Sequence, residues 1–315
     1  MKHFNLSSVL MAGALLIFST SCKKDKTQPT TPDPTNPATN YASAFFNSNL
    51  SNGKQTFTIN AGQTQTITGN KGTVIHFNPN SFVTASGTPV TGNIQIEFVE
   101  IYSKKDMILM NKQTVGKVWN GVSPLISGGQ FNIVAKQNGQ NLKLAPGANY
   151  LIEAPAPNGT TNQMGLFYGQ IDNEQLEWTQ VDSSNMSAGT GIYSAFPDSL
   201  GWVNLDYFMN NSEPLSKIDV QIPSGFTTQN TRVFVSVDGA SSMGGIYQVS
   251  SGIFHSGGYK LPIGMNVHFI IINLDNNEIH AAVIPAAITT DHFQTVGSLN
   301  LYSLAQLEAL LNNLP

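Results

Sequence analysis

The chain has 315 residues, 40% hydrophobic and only 11% charged, where an ordinary globular chain carries about 25% charge. The net charge is −4 and Arg232 is the sole arginine. That leaves no basic footprint and excludes nucleic acid as a partner. The single cysteine, Cys22, excludes an intramolecular disulfide and a cysteine-built zinc site.

The N-terminus reads as an address. Lys2 and His3 precede a ten-residue apolar run, Val9 to Phe18. As a helix it would span about 15 Å, half of the roughly 30 Å hydrocarbon core, so it fits a signal-peptide core and not a transmembrane helix. Ser19-Thr20-Ser21-Cys22 follows. These small residues before a cysteine resemble a lipobox, which implies that residues 1–21 are a lipoprotein signal peptide and Cys22 the acylated N-terminus of the mature chain. Losing Lys2 leaves 14 basic against 19 acidic residues, a net −5. Each CH₂ of a palmitate-type chain buried in lipid contributes ~0.8 kcal/mol, so two or more chains anchor essentially permanently.

Residues 22–52 follow as the anchor and its tether. Thr27 to Asn40 holds Pro29, Pro32, Pro34 and Pro37 and no large apolar side chain. It favours extended polyproline II and can reach roughly 40 Å. Tyr41–Asn52 fits either a tether end or a segment packed on the first domain.

The body reads as short strands separated by turn residues. Thr56–Ile59, Thr64–Thr68 and Thr73–Phe77 are β-favouring, and Ile94–Phe98 alternates apolar and polar with period two. Phe131–Val134, Tyr150–Glu153, Gly165–Gly169 and Leu176–Val181 continue the pattern. Asp182–Thr190 is polar and aperiodic and is expected to be a linker. Beyond it, Ile218–Ile222 alternates cleanly, and Val233, Val235 and Val237 share one face before an Asp238-Gly239 turn. Met265–Asn273 is apolar on both faces near its end and is placed centrally. Asn276-Asn277 suits the positive φ of a type I′ hairpin, which sets His280 opposite Asn273. Only the C-terminus reads as helical: Ser303 and Gln306 form a capping box, and Leu304, Leu307 and Leu311 form a stripe.

The expected architecture is all-β: two tandem β-sandwich domains, Ig-like or ZU5-like, over 53–181 and 191–315, with one short C-terminal helix. Strands every 8–12 residues support it. Gly72-Thr73-Val74-Ile75-His76-Phe77-Asn78-Pro79-Asn80-Ser81-Phe82, with Gly87, Pro89, Val90 and Gly92 after it, resembles the opening of ZU5-type β-sandwich modules. The likeness covers Thr56–Ala135 and implies a long strand at Asn93–Tyr102. Ser21-Cys22-Lys23-Lys24-Asp25-Lys26 is similar to lipoproteins of the Bacteroidota, and that resemblance implies the outer membrane, at its surface or its periplasmic face, because Lys23 is not the Asp that marks inner-membrane retention.

A search for chemistry finds little. Glu97 and Glu100 lie three apart on a strand, on opposite faces and roughly 10 Å apart, which does not suit a glycosidase pair sharing one cleft. His255, His268, His280 and His292 lack metal-ligand spacing, so no metal is expected and they read as hydrogen-bonded strand histidines. Ser127-Gly128-Gly129 and Ser256-Gly257-Gly258 read as glycine turns with no base beside either serine. No phosphate or dinucleotide fingerprint occurs, and no cofactor is expected. Trp119, in a loop beside Asn120, is the candidate for stacking on a sugar, while Trp178 and Trp202 read as core. The expectation is a non-enzymatic envelope protein with a structural or adhesive role toward a protein or glycan. The alternative is a glycan-binding accessory to polysaccharide uptake.

Overall fold

The computed structural model describes residues 40–181, 185–209 and 214–315. The expected signal peptide at 1–21, Cys22 and the proline-rich stretch 27–39 lie outside the described residues. Within them are 26 strands and three helices, so the protein is all-β, as its composition implies.

Two sheets face each other in the N-terminal half. The larger runs Gln55–Asn60, Asn93–Ile101, Gly121–Gln137, Gly201–Phe208, Gly165–Asp172, Gln175–Gln180 and Val115–Val118, with a short eighth strand off the path. The smaller runs Met186–Ala188, Ile192–Ala195, Tyr150–Pro155, Val74–Phe77 and Gln65–Thr68. Ile96, Phe98 and Ile133 from one sheet meet Ile75, Phe77 and Ile152 from the other in a shared core. Period-two alternation does this sorting, since successive side chains point to opposite faces. Asn93–Ile101 shows the exception. Its outward residues Val99 and Ile101 are also buried, because a second core covers that face.

The expected linker at 182–190 is a correction. Met186–Ala188 and Ile192–Ala195 pair with each other, and the latter with Tyr150–Pro155. Gly201–Phe208 then lies between Gly121–Gln137 and Gly165–Asp172. The first sheet pair therefore runs on to Phe208. A polar, aperiodic stretch marks a connection between strands as readily as one between domains, and composition does not separate the two.

In the C-terminal half a five-stranded sheet runs Met243–Ile246, Thr231–Val237, Asn266–Asp275, Glu278–Ala287 and Asn300–Tyr302. A four-stranded sheet runs Gln248–Ser250, Ile253–His255, Ile218–Gln221 and His292–Thr295. Val233, Val235, Phe269 and Ile271 pack with Ile218, Val220 and Phe254 between them. Asn276 and Asn277 have φ of 47° and 67°, and His280 pairs opposite Asn273 as the turn chemistry requires.

The reverse face of the five-stranded sheet is covered by helices. There are three among the described residues, not one: α1 Tyr41–Asn52, α2 Lys104–Leu109 and α3 Leu304–Asn312. Each is capped by a side chain at its start: Asn40 accepts from the Ser43 amide, Ser103 from Asp106, and Ser303 forms its capping box with Gln306. α1 packs on the C-terminal sheet and also reaches the first sheet pair, where Ser43 bonds Glu174. Phe46 meets Phe234 edge-on at 5.9 Å, and the Ala42 amide donates to the Gln229 carbonyl at 3.0 Å. Residues of all three helices join Ile270, Ile272, Val99 and Ile101 in one cluster, so the two halves share a core.

Candidate functional site

Trp119 and Asn120 form the two-residue turn between Val115–Val118 and Gly121–Gln137, with Val118 pairing Gly121. Trp119 is 97% exposed, so its ring is free to stack on a flat partner. Trp178 is a core residue and the half-buried Trp202 packs against it: their rings meet edge-on at 6.3 Å, and the buried Trp178 indole donates to the Gln113 carbonyl at 2.7 Å. The three tryptophans do not form a platform.

Glu97 and Glu100 are separated as strand geometry requires. Glu97 faces Lys54 at 3.0 Å and Lys136 at 2.8 Å. The Lys136 hydrogen bond, helped by Lys54, holds its carboxyl below the usual range. Glu100 is buried beneath the turn at Gly69–Gly72, where it accepts from the Lys71 amide and the Gln55 side chain. A Cβ on Gly69 would sit 2.6 Å from its Oε1, so that glycine makes room for the carboxylate.

The histidines are spread over the sheets, and among the described residues no three His, Cys, Asp or Glu side chains gather as metal ligands. One group escaped the sequence reading. Ser250 Oγ lies 2.7 Å from His255 Nε2, and His255 Nδ1 lies 2.8 Å from Asp219 Oδ1. Hydroxyl, imidazole and carboxylate are in the order that activates a nucleophile. Spacing could not reveal it, because Asp219 reaches His255 only through strand pairing. The same order recurs at Thr66, His76 and Glu153, with both contacts at 2.9 Å. Both sets lie on outward sheet faces, where neighbouring strands place polar side chains side by side. His292 differs: it stacks on Phe269 at 5.2 Å, and burial lowers its pKa.

The most enclosed features lie where the halves meet. Ser127-Gly128-Gly129, expected as a turn, is mid-strand in Gly121–Gln137. Beside it opens a cleft of about 520 Å³, lined by Tyr102, Tyr193, Tyr207 and Met164, the 155–161 loop and the Gly239–Ser241 turn. On the outward face of the large sheet, Ser127, Gln130, Asn204 and Asp206 form a buried polar group. Ser127 donates to Asn204, Asn204 to Asp206, and Gln130 to the Lys112 carbonyl. Asp206 Oδ1, Gln130 Oε1 and Ser242 Oγ lack partners among the described residues. Burial holds the Asp206 carboxyl well above the usual range and lowers Lys112 to about 8. The Lys112 ammonium sits 5.6 Å from the Trp202 ring centre. Arg232, buried, pairs with Glu174 from the turn after Gly165–Asp172 and also reaches Ser43 of α1.

No family model matches the sequence, and no curated protein matches it. Solved structures do return matches. One is the crystal structure of gamma-CGTase from Alkalophilic bacillus clarkii, with a TM-score of 0.18 and 13% identity over 75% of this chain and 41% of that one. The chain thus spans about two fifths of that enzyme's length, and so low a score supports neither a shared fold nor a shared activity. No helix among the described residues is long and apolar enough to cross a membrane.

Proposed function

We propose that this chain is a lipid-anchored bacterial envelope protein, acylated at Cys22 and held at the outer membrane, with a non-enzymatic structural or adhesive role. The observation that carries the reading is the position of Cys22: directly behind a ten-residue apolar run and ahead of a proline-rich stretch with no core-forming residue. The body is read as two β-sandwich units, the first ZU5-like and extending to Phe208. Its support is the two separate cores, each shared by two sheets. The hydroxyl–imidazole–carboxylate groups do not favour catalysis. Ser250 is exposed, and the arrangement recurs with a threonine, as cross-strand polar ladders do. Labelled palmitate tests the anchor: label should enter the wild-type protein and be absent from Cys22→Ala, which should also leave the membrane fraction. Label retained in Cys22→Ala would remove the proposal.

Trp119 favours a second reading, a glycan-binding accessory of polysaccharide uptake. A ring 97% exposed at a hairpin tip, beside the amide of Asn120, suits the apolar face and hydroxyl edge of a sugar. A glycan array tests it: an array without binding ends it, and binding lost in Trp119→Ala would place the site at the hairpin.

A further inference from the structure

Resting on the glycan reading, we infer that the cleft beside Gly128 and Gly129, and not the Trp119 hairpin, is the principal binding site, and that its ligand is an uncharged oligosaccharide.

The first argument is charge. Among the described residues the lining contains no Asp, Glu, Lys, Arg or His. A charged ligand entering it would shed water and gain no counter-charge, which is costly. A neutral ligand loses little. The second argument is the mixture of surfaces. Three tyrosines and Met164 offer flat or soft apolar contact, while Ser241 offers a hydroxyl, Asn158 an amide, and Thr160 an acceptor oxygen whose own proton goes to the Gly189 carbonyl. A hydroxyl and an amide each both donate and accept, so they match the hydroxyl-rich edge of a sugar. The volume of about 520 Å³ also lies in the range of ligand sites.

Preorganisation supplies the third argument. The Tyr102 hydroxyl is bonded to Thr73 at 2.6 Å, and the Tyr193 hydroxyl accepts from the Thr161 amide at 2.8 Å. Both rings are therefore held from behind, and binding need not freeze them. The glycine pair makes this possible. A Cβ on Gly128 would lie 3.1 Å from the Met164 methyl and 3.2 Å from the Tyr193 ring, and one on Gly129 would lie 2.7 Å from the Tyr102 ring. Glycine inside a strand costs roughly 0.5–1 kcal/mol and commonly marks a close approach. Here it keeps two rings against bare backbone.

The test titrates the full mature chain with maltohexaose, cellohexaose, xylohexaose and polygalacturonate by calorimetry. At least one neutral hexamer should bind and polygalacturonate should not. Tyr207→Ala should weaken binding by about tenfold or more, while Trp119→Ala stays within about twofold. Asn158→Ala, in an exposed loop, serves as the second variant and should weaken binding without disturbing the fold. Binding that survives Tyr207→Ala and Asn158→Ala but falls in Trp119→Ala would overturn the cleft and leave the glycan reading standing. Preference for polygalacturonate would overturn the neutral ligand. No binding to any of the four would overturn the cleft proposal, and an array without binding would then end the glycan reading as well.

Discussion

The outward sheet faces and the junction between the halves handle polar side chains in opposite ways. On the faces, His76 meets Glu153, His255 meets Asp219 and Glu97 meets two lysines, each half in water. At the junction Lys112, Gln130 and Asp206 are buried, and Gln130 and Asp206 each keep an atom without a partner among the described residues. Exposed pairs are worth little because solvent screens both partners. Buried polar groups are costly unless fully satisfied. The faces are thus close to neutral for stability, while the junction gives some up.

The widest contrast should come from Trp178→Ala. It empties a fully buried site and strands the Gln113 carbonyl, so denaturation should show a loss of about 4 kcal/mol. A loss below about 1 kcal/mol would mean that the junction relaxes as freely as a surface.

Lys112→Met should move the other way. The folded pKa of Lys112 is about 8 against 10.5. Between those values the unfolded chain binds more protons, so wild-type stability rises with pH across that window. Below pH 8 the buried ammonium costs about 3 kcal/mol, because each tenfold loss of proton affinity is worth about 1.36 kcal/mol. The methionine variant should therefore be the more stable at pH 7, with the gap closing toward pH 10.5. A gap independent of pH would show that the ammonium is not the cost.

Asp206→Asn should also stabilise at neutral pH, with the opposite pH dependence. The raised Asp206 pKa means that the folded state keeps a proton the unfolded chain releases above 3.8, so wild type loses stability as pH rises past that point. The gain from Asn should be absent at pH 3 and present at pH 7 in thermal melts.

The smallest effect belongs to the faces. His255→Ala and His76→Ala should each change stability by less than about 1 kcal/mol. A fluorophosphonate probe should leave Ser250 unlabelled. Labelling that disappears in His255→Ala would show an activated serine and end the non-enzymatic reading.

Much of the sheet structure was legible because burial imposes period two. Asn93–Ile101, Tyr150–Pro155 and Ile218–Gln221 all fall where alternation places them. The Asn276-Asn277 turn and the Ser303 box were legible because their chemistry is local. α1 was not. Its Ser- and Asn-rich sequence has modest helix propensity, and Ala42 and Phe46, one turn apart, matter only because the distant Phe234 sheet receives them. Gly128-Gly129 carried the right residues and the wrong inference, since a glycine that admits a neighbour's ring looks like one that turns the chain. The Ser250 group was invisible because its partners are set by pairing across three strands.

α1 also decides where mechanical load would enter the body. Any pull along the N-terminal chain arrives at Asn40 and acts first on a helix wedged against Phe234, tied by the Ala42 amide and by Ser43 to Arg232. The edge strand Gln55–Asn60 lies beyond that wedge. The edge strand is therefore loaded only after this packed interface near the sequence-distant sheet has given way.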